Sequence, residues 1–296
     1  MSVKGKIVTD MIRFFTSQKM LGPKIQDGTL RKNLVEPPWH CPDEYLNLPI
    51  HMRQFEMELL TPKAADNGEV VLQLHGGGYI AKIRNAYRDF AVRYSKIDQY
   101  RVLSVDYRVA PQHPYPAAFQ DAIEAYRWLL YSGFSGDRII LAGDSAGGGL
   151  VLALAMYLRD QSMPLPKKLV MMSPWTDLTA SGPSYQENYE NDPLFGNTRE
   201  SMIYNGEYAG KQDPKLPYIS PLFGDFHGLP PMLFQVGSLE MLLSDSVLAA
   251  QKAKEAGCDV TLTVYQDMFH VFQLSMDKLV ESRTAWDEVA AFLGKG

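Results

Sequence analysis

Between Arg138 and Leu158 the chain runs from a short apolar stretch, Arg138-Ile139-Ile140-Leu141-Ala142, through Gly143-Asp144-Ser145-Ala146-Gly147. Beyond it, Leu150, Val151, Leu154, Ala155 and Leu158 recur at helical spacing. A strand, a glycine-flanked turn and a helix in that order leave few folds open. A G-x-S-x-G turn of this kind pushes one serine hydroxyl past the carboxyl edge of a sheet, and its glycines stand where side chains would meet neighbouring backbone. The pentapeptide alone is weak evidence, since a chain with 23 glycines in 296 residues can produce it by accident. Its setting is what makes Ser145 a candidate nucleophile.

A second glycine motif follows another apolar run. Val70-Val71-Leu72-Gln73-Leu74 leads into His75-Gly76-Gly77-Gly78, placing the glycines where a strand would end at the same carboxyl edge. Successive glycines expose backbone N-H groups with no side chains in the way, as a hole for a developing oxyanion requires. His75, at the strand end, is expected to orient this loop through backbone contacts and not to act as a base.

Strand patterns at 53–60, 69–75, 101–106, 138–142, 167–173, 231–237 and 259–265 alternate with amphipathic helix patterns at 86–98, 117–132, 146–160, 245–257 and 277–293. That alternation predicts an α/β fold with a mostly parallel, doubly wound sheet. With 46% apolar and 21% charged residues, the chain suits one large soluble domain with a substantial core. The first 45 residues and the aromatic segment from about Tyr185 to Tyr218 fall outside the alternation.

A net charge of −5 gives no general attraction to nucleic acid or to an anionic membrane, and it argues against a polyanionic substrate. Cys41 and Cys258 are far apart and outside any C-x-x-C spacing, which suggests neither a disulfide framework nor a zinc site. Asp10 and Arg13 interrupt the N-terminal apolar stretch, and no 18-residue apolar run occurs. Cytoplasmic residence without stable membrane association is expected.

Two further segments carry a family likeness: Asp106-Tyr107-Arg108-Val109-Ala110-Pro111-Gln112-His113-Pro114-Tyr115-Pro116-Ala117-Ala118 and Ser173-Pro174-Trp175-Thr176-Asp177-Leu178. With the two glycine motifs, in this order, they resemble the bacterial hormone-sensitive-lipase-like (family IV) carboxylesterases of the α/β-hydrolase superfamily, over roughly residues 50 to 295. The resemblance implies an α/β-hydrolase fold, with helices flanking the sheet and a small helical cap. Residues 1–45 would be an N-terminal cap segment, and 46–296 the catalytic domain with a cap insertion at about 185–218. Phe14, Phe15, Trp39, Tyr185, Tyr189, Phe195, Tyr204 and Tyr208 are candidates for lining an acyl or alcohol pocket.

The resemblance further implies a serine carboxylesterase that hydrolyses small, short-acyl esters through an acyl-enzyme. Acetyl-ester or lactone hydrolysis by the same mechanism is an alternative. A non-catalytic ligand-binding protein on the same fold is a weaker one, because both Ser145 and His270 are retained. The backbone N-H groups of Gly77, Gly78 and Ala146 would form the oxyanion hole, with no cofactor or metal required. Asp259-Val260-Thr261-Leu262-Thr263-Val264-Tyr265 alternates as a half-exposed edge strand does, and the resemblance favours a homodimer through this region.

A serine hydroxyl needs a base, and the fold's chain order of serine, acid, histidine restricts the choice to His227 and His270. His270 follows the last strand, where the family's base lies; His227 sits in a loop that reads as surface. For the acid, Glu240 falls on the family's position by register, thirty residues before His270. Asp245 fits an N-terminal helix position, as a cap favoured by the helix dipole, and Asp267 lies beside the histidine. All three stay open, with Glu240 favoured. Asp106, Tyr107 and Arg108 are expected to brace the site, an Arg-Asp pair among them, and Asp144 is assigned no chemistry.

Overall fold

Several strands of this protein read as unbroken apolar runs because both their faces are covered. The computed structural model describes residues 2–16, 36–196 and 207–294. Its sheet is built from β1 (Tyr45–His51), β2 (Glu56–Pro62), β3 (Val70–Leu74), β4 (Arg101–Asp106), β5 (Ile139–Asp144), β6 (Lys168–Met172), β7 (Met232–Gly237) and β8 (Val260–Tyr265). The spatial order is β1-β2-β4-β3-β5-β6-β7-β8. β2 runs antiparallel to both neighbours, and every pair from β4 to β8 is parallel.

The helices are α1 (Val3–Thr16), α2 (Asn85–Asp98), α3 (Ala117–Tyr131), α4 (Ser145–Asp160), α5 (Ser184–Glu187), α6 (Leu243–Glu255) and α7 (Val280–Phe292). Strand alternation divides the core even within the apolar runs. Leu72, Leu74, Leu141 and Phe234 face α3, α4 and α6, whereas Val71, Val102, Ile140 and Leu233 pack with Phe90 and Tyr94 of α2 and Trp286 of α7. The doubly wound α/β-hydrolase architecture follows, with helices on both faces of a mostly parallel sheet.

The helix expectations agree within about three residues at each end. β1, α1 and the short α5 have no counterpart among the expected strands and helices. β1 carries Pro49 and leaves Leu46 and Leu48 exposed, as an edge strand covered on one side permits, so no inward alternation marks it. α1 lies in the segment expected to be cap and packs Val8 and Ile12 against Phe269, Phe272 and Leu279. Ser2 adds hydrogen bonds from its amide and hydroxyl to Glu281. No helix among the described residues is long and apolar enough to cross a membrane.

The parallel register assembles one edge from distant parts of the chain. Leu74 pairs with Gly143, so the loop that opens at His75 leaves the sheet beside the turn that carries Ser145. Gly237 pairs with Tyr265, so the loops bearing Glu240 and His270 leave it side by side.

Candidate active site

Ser145, the first residue of α4, has φ +51°, a left-handed conformation that costs a non-glycine residue about 1–3 kcal/mol. Its surroundings hold it there. The Trp175 amide donates to the Ser145 carbonyl at 2.8 Å. Gly147 lets α4 close onto the end of β3: a Cβ at this position would stand 2.0 Å from the Leu74 carbonyl oxygen and 2.5 Å from that of His75. The second glycine of the pentapeptide is therefore required by close approach.

From the serine, a continuous hydrogen-bond chain leads inward. Ser145 Oγ lies 2.9 Å from His270 Nε2, and His270 Nδ1 lies 2.8 Å from Glu240 Oε2. An ionised carboxylate only accepts, so Nδ1 carries the proton and Nε2 turns its lone pair to the serine hydroxyl. Glu240 is fully buried, and its other oxygen accepts the Ser173 hydroxyl at 2.7 Å and the Gly237 amide at 2.5 Å. Ser173 Oγ in turn accepts the amide of Val271, next to the histidine, at 3.2 Å. Burial alone would lower the His270 pKa; the hydrogen bond and charge of Glu240, with Asp192 and Asp144 beyond it, outweigh burial and raise it.

The other acid candidates are engaged elsewhere. Asp245 sits in the first turn of α6 but does not cap that helix. Its Oδ2 accepts the amides of Thr176 and Asp177 at 2.6 and 2.8 Å, and Oδ1 the Tyr185 hydroxyl at 2.8 Å. It thus ties down the loop after β6, and burial pushes its carboxyl up to about 7. Asp267 is half-buried, and its carboxylate accepts from Gln266. His227 is exposed and paired with Asp225.

On the opposite side, Gly77 adopts φ +117°, a conformation that L side chains rarely adopt, and with Gly78 it lines the same cavity as Ser145 and His270. Ala146 is the second residue of α4, among the first N-H groups that find no partner inside a helix. His75 is buried and neutral, its pKa lowered to about 4 by burial, with Nδ1 donating to the Gly76 carbonyl at 2.7 Å. Its ring stacks on Tyr107 at 4.2 Å, and the Tyr107 hydroxyl donates to the His75 carbonyl. The expected Arg-Asp pair forms between Arg108 and Asp121, not with Asp106, which accepts the Ile83 amide.

Asp144 has a structural task that the sequence did not disclose. Its carboxyl accepts the Gly76 amide at 3.0 Å and the Tyr87 hydroxyl at 3.1 Å, tying the glycine loop to the serine turn. Burial pushes its pKa up to about 7.

The cavity over Ser145 measures about 500 Å³, with Leu194 and Phe195 on one wall. A second, of about 550 Å³, shares Leu194, His270, Val271 and Leu274 with it and reaches Val8, Met11 and Ile12 of α1. Of the eight aromatic candidates, Phe195 lines the cavity and packs edge-on against the His270 ring at 4.8 Å. Tyr185 and Tyr208 are core residues, the latter stacked on Tyr79. Tyr189 packs against the core, and Trp39 donates to Asp89. Tyr204 and the side chains of Phe14 and Phe15 lie outside the described residues. Among the described residues no three His, Cys, Asp or Glu side chains converge as a metal site would need.

The sheet order and the strand-turn-helix site define an α/β-hydrolase, and residues 71–274 match the family model of the alpha/beta hydrolase fold. The chain is 39% identical over 230 residues to an acetyl-hydrolase of Streptomyces hygroscopicus, covering 78% of this chain and 77% of that one. It is 32% identical over 221 residues to an ethyl acetate hydrolase of Pseudomonas putida, covering 72% and 69%. The crystal structure of an esterase from the bacterial hormone-sensitive lipase family superposes with a TM-score of 0.85 at 35% identity, over 99% of this chain and 98% of that one. The chain belongs to the bacterial hormone-sensitive-lipase-like carboxylesterases, and it is a carboxylic-ester hydrolase.

Proposed function

We propose that Ser145, His270 and Glu240 act as a triad on small, short-acyl esters. The hydrogen-bond chain through these three residues, at the edge of a cavity lined by Gly77 and Gly78, carries the reading. His270 Nε2 takes the Ser145 proton as Oγ bonds to the ester carbonyl carbon. The N-H groups of Gly77, Gly78 and Ala146 receive the oxyanion, each worth about 3 kcal/mol in the transition state. Collapse breaks the bond to the alcohol oxygen, which leaves with the proton from His270. Water, deprotonated by the same nitrogen, then releases the acid and restores Ser145. Glu240 holds the tautomer and stabilises the imidazolium.

The acetyl-hydrolase and ethyl acetate hydrolase among the relatives support a short acyl group. The expected result in a p-nitrophenyl ester series is efficient hydrolysis of acetate and butyrate, with kcat/KM for palmitate lower by about 100-fold or more. A preference for palmitate would overturn the short-acyl assignment. Covalent labelling by a fluorophosphonate separates catalysis from mere ligand binding on this fold.

The base must be neutral to accept a proton, and His270 titrates above its ordinary value of 6.5. The kcat/KM is therefore expected to rise with pH through a midpoint above 6.5 and to fall away on the acid side. A pH profile with its acid limb centred below 6.5 would contradict the ion-pair geometry.

α1 and the Leu194-Phe195 wall support a cap drawn from residues 1–45 and an insertion at about 185–218 on the catalytic domain 46–296. β8 is an edge strand with Val264 exposed, which supports a homodimer through it. The free cysteines Cys41 and Cys258 are in keeping with the reducing cytoplasm.

A further inference from the structure

The segment after α5 grips the loop that carries Glu240 at two points. Asn188 Nδ2 donates to the carbonyls of Ser238 and Glu240, at 3.0 and 2.8 Å. Four residues on, Asp192 is buried with its two carboxylate oxygens divided between two structures. Oδ2 accepts the amide of Met241, the residue after Glu240, at 2.7 Å. Oδ1 accepts the amides of Leu194 and Phe195, at 2.8 and 3.0 Å. These two residues wall the cavity over Ser145, and the Phe195 ring lies against His270.

A carboxylate buried to this degree needs hydrogen bonds in place of the lost water, and three amide donors supply them here, although burial still raises its pKa. The arrangement links the wall that meets the substrate to the loop that holds the acid. Because each oxygen serves one of the two structures, the two effects can be taken apart chemically.

We propose that Asp192 is a positioning residue for the esterase reaction: through Oδ2 it fixes the Glu240 loop behind His270, and through Oδ1 it seats Phe195 and so sets acyl-chain preference. This rests on Ser145, His270 and Glu240 being the working triad. Small displacements of catalytic groups cost up to about 100-fold in rate, which sets the scale of the effect.

The test compares the wild type with Asp192→Asn and Asp192→Ala, using p-nitrophenyl acetate and octanoate, with active sites counted by fluorophosphonate titration. Asparagine keeps an acceptor for Leu194 and Phe195 but turns an amide N-H2 toward the Met241 N-H. Asp192→Asn is therefore expected to lose about tenfold or more in kcat per labelled site while keeping the wild-type octanoate-to-acetate ratio of kcat/KM. Asp192→Ala is expected to lose kcat and to shift that ratio by about threefold or more. Wild-type labelling at Ser145 reads the triad, independently of the variant-to-wild-type ratios that read the clamp.

A merely structural Asp192 would lower the melting temperature and the labelled fraction but leave both kcat per labelled site and the acyl ratio at wild-type values; that result overturns the proposal. If neither variant folds, Asn188→Ala removes the other link to the acid loop. Lost kcat per labelled site with an unchanged acyl ratio supports the division of labour, and unchanged kcat overturns it.

Discussion

Replacing Ser145 by alanine is expected to lower kcat by about a millionfold, leaving only what the oxyanion donors and the cavity contribute without a nucleophile. Its hydroxyl is the group that stands 2.9 Å from His270 Nε2, so no neighbouring oxygen inherits the proton transfer. Alanine tolerates φ +51° no worse than serine does, and the Trp175 amide bonds to the backbone carbonyl, so the turn persists. The measurement is steady-state hydrolysis of p-nitrophenyl acetate by Ser145→Ala, with intact mass after fluorophosphonate treatment. Activity within tenfold of wild type, or an adduct on the variant, would remove Ser145 from its role.

Glu240→Gln should cost about 10⁴-fold in kcat with the fold intact. The reason lies in the far oxygen. Ser173 Oγ-H and the Gly237 amide both donate to Oε1, so the glutamine oxygen must occupy that place. Its N-H2 then faces His270 Nδ1 and drives the ring proton onto Nε2, where the base needs a lone pair.

Asp245→Asn is the contrasting variant. Asp245 accepts the amides of Thr176 and Asp177 and the Tyr185 hydroxyl, none of them on His270, so the change is expected to destabilise by about 1–3 kcal/mol and to alter kcat by less than about threefold. Thermal unfolding and kcat for the pair separate the assignments; a large kcat loss confined to Asp245→Asn would reverse them.

What the sequence disclosed was what is encoded locally. The serine turn and the glycine loop announce themselves because each must satisfy backbone geometry within a few residues, and apolar runs on either side fix their place on the sheet. The proposed base, His270, followed from the fold's chain order and the position of the last strand. The proposed acid could not be singled out from the residues alone, because Glu240 and Asp245 are only five apart, the first in the loop after β7 and the second in the first turn of α6, and they differ in their three-dimensional partners. Ser173 stood in a characteristic segment, yet nothing in that segment reveals that its hydroxyl bridges Glu240 and Val271. Asp192 left no trace, since an aspartate before a proline reads as an ordinary turn; its three amide partners come from its own turn and from a loop 49 residues away. β1 escaped notice because an edge strand need not alternate.

The parallel register that brings the loops to one edge also sets the order in which the protein can become active. Ser145 and His270 are separated by 125 residues of chain, and the strand that precedes the histidine is the outermost of its side. Contacts that span so much chain form late, after the entropy of closing the long loop has been overcome. Recovery of hydrolysis after dilution from denaturant is therefore expected to report the docking of β7 and β8, which brings His270 to Ser145.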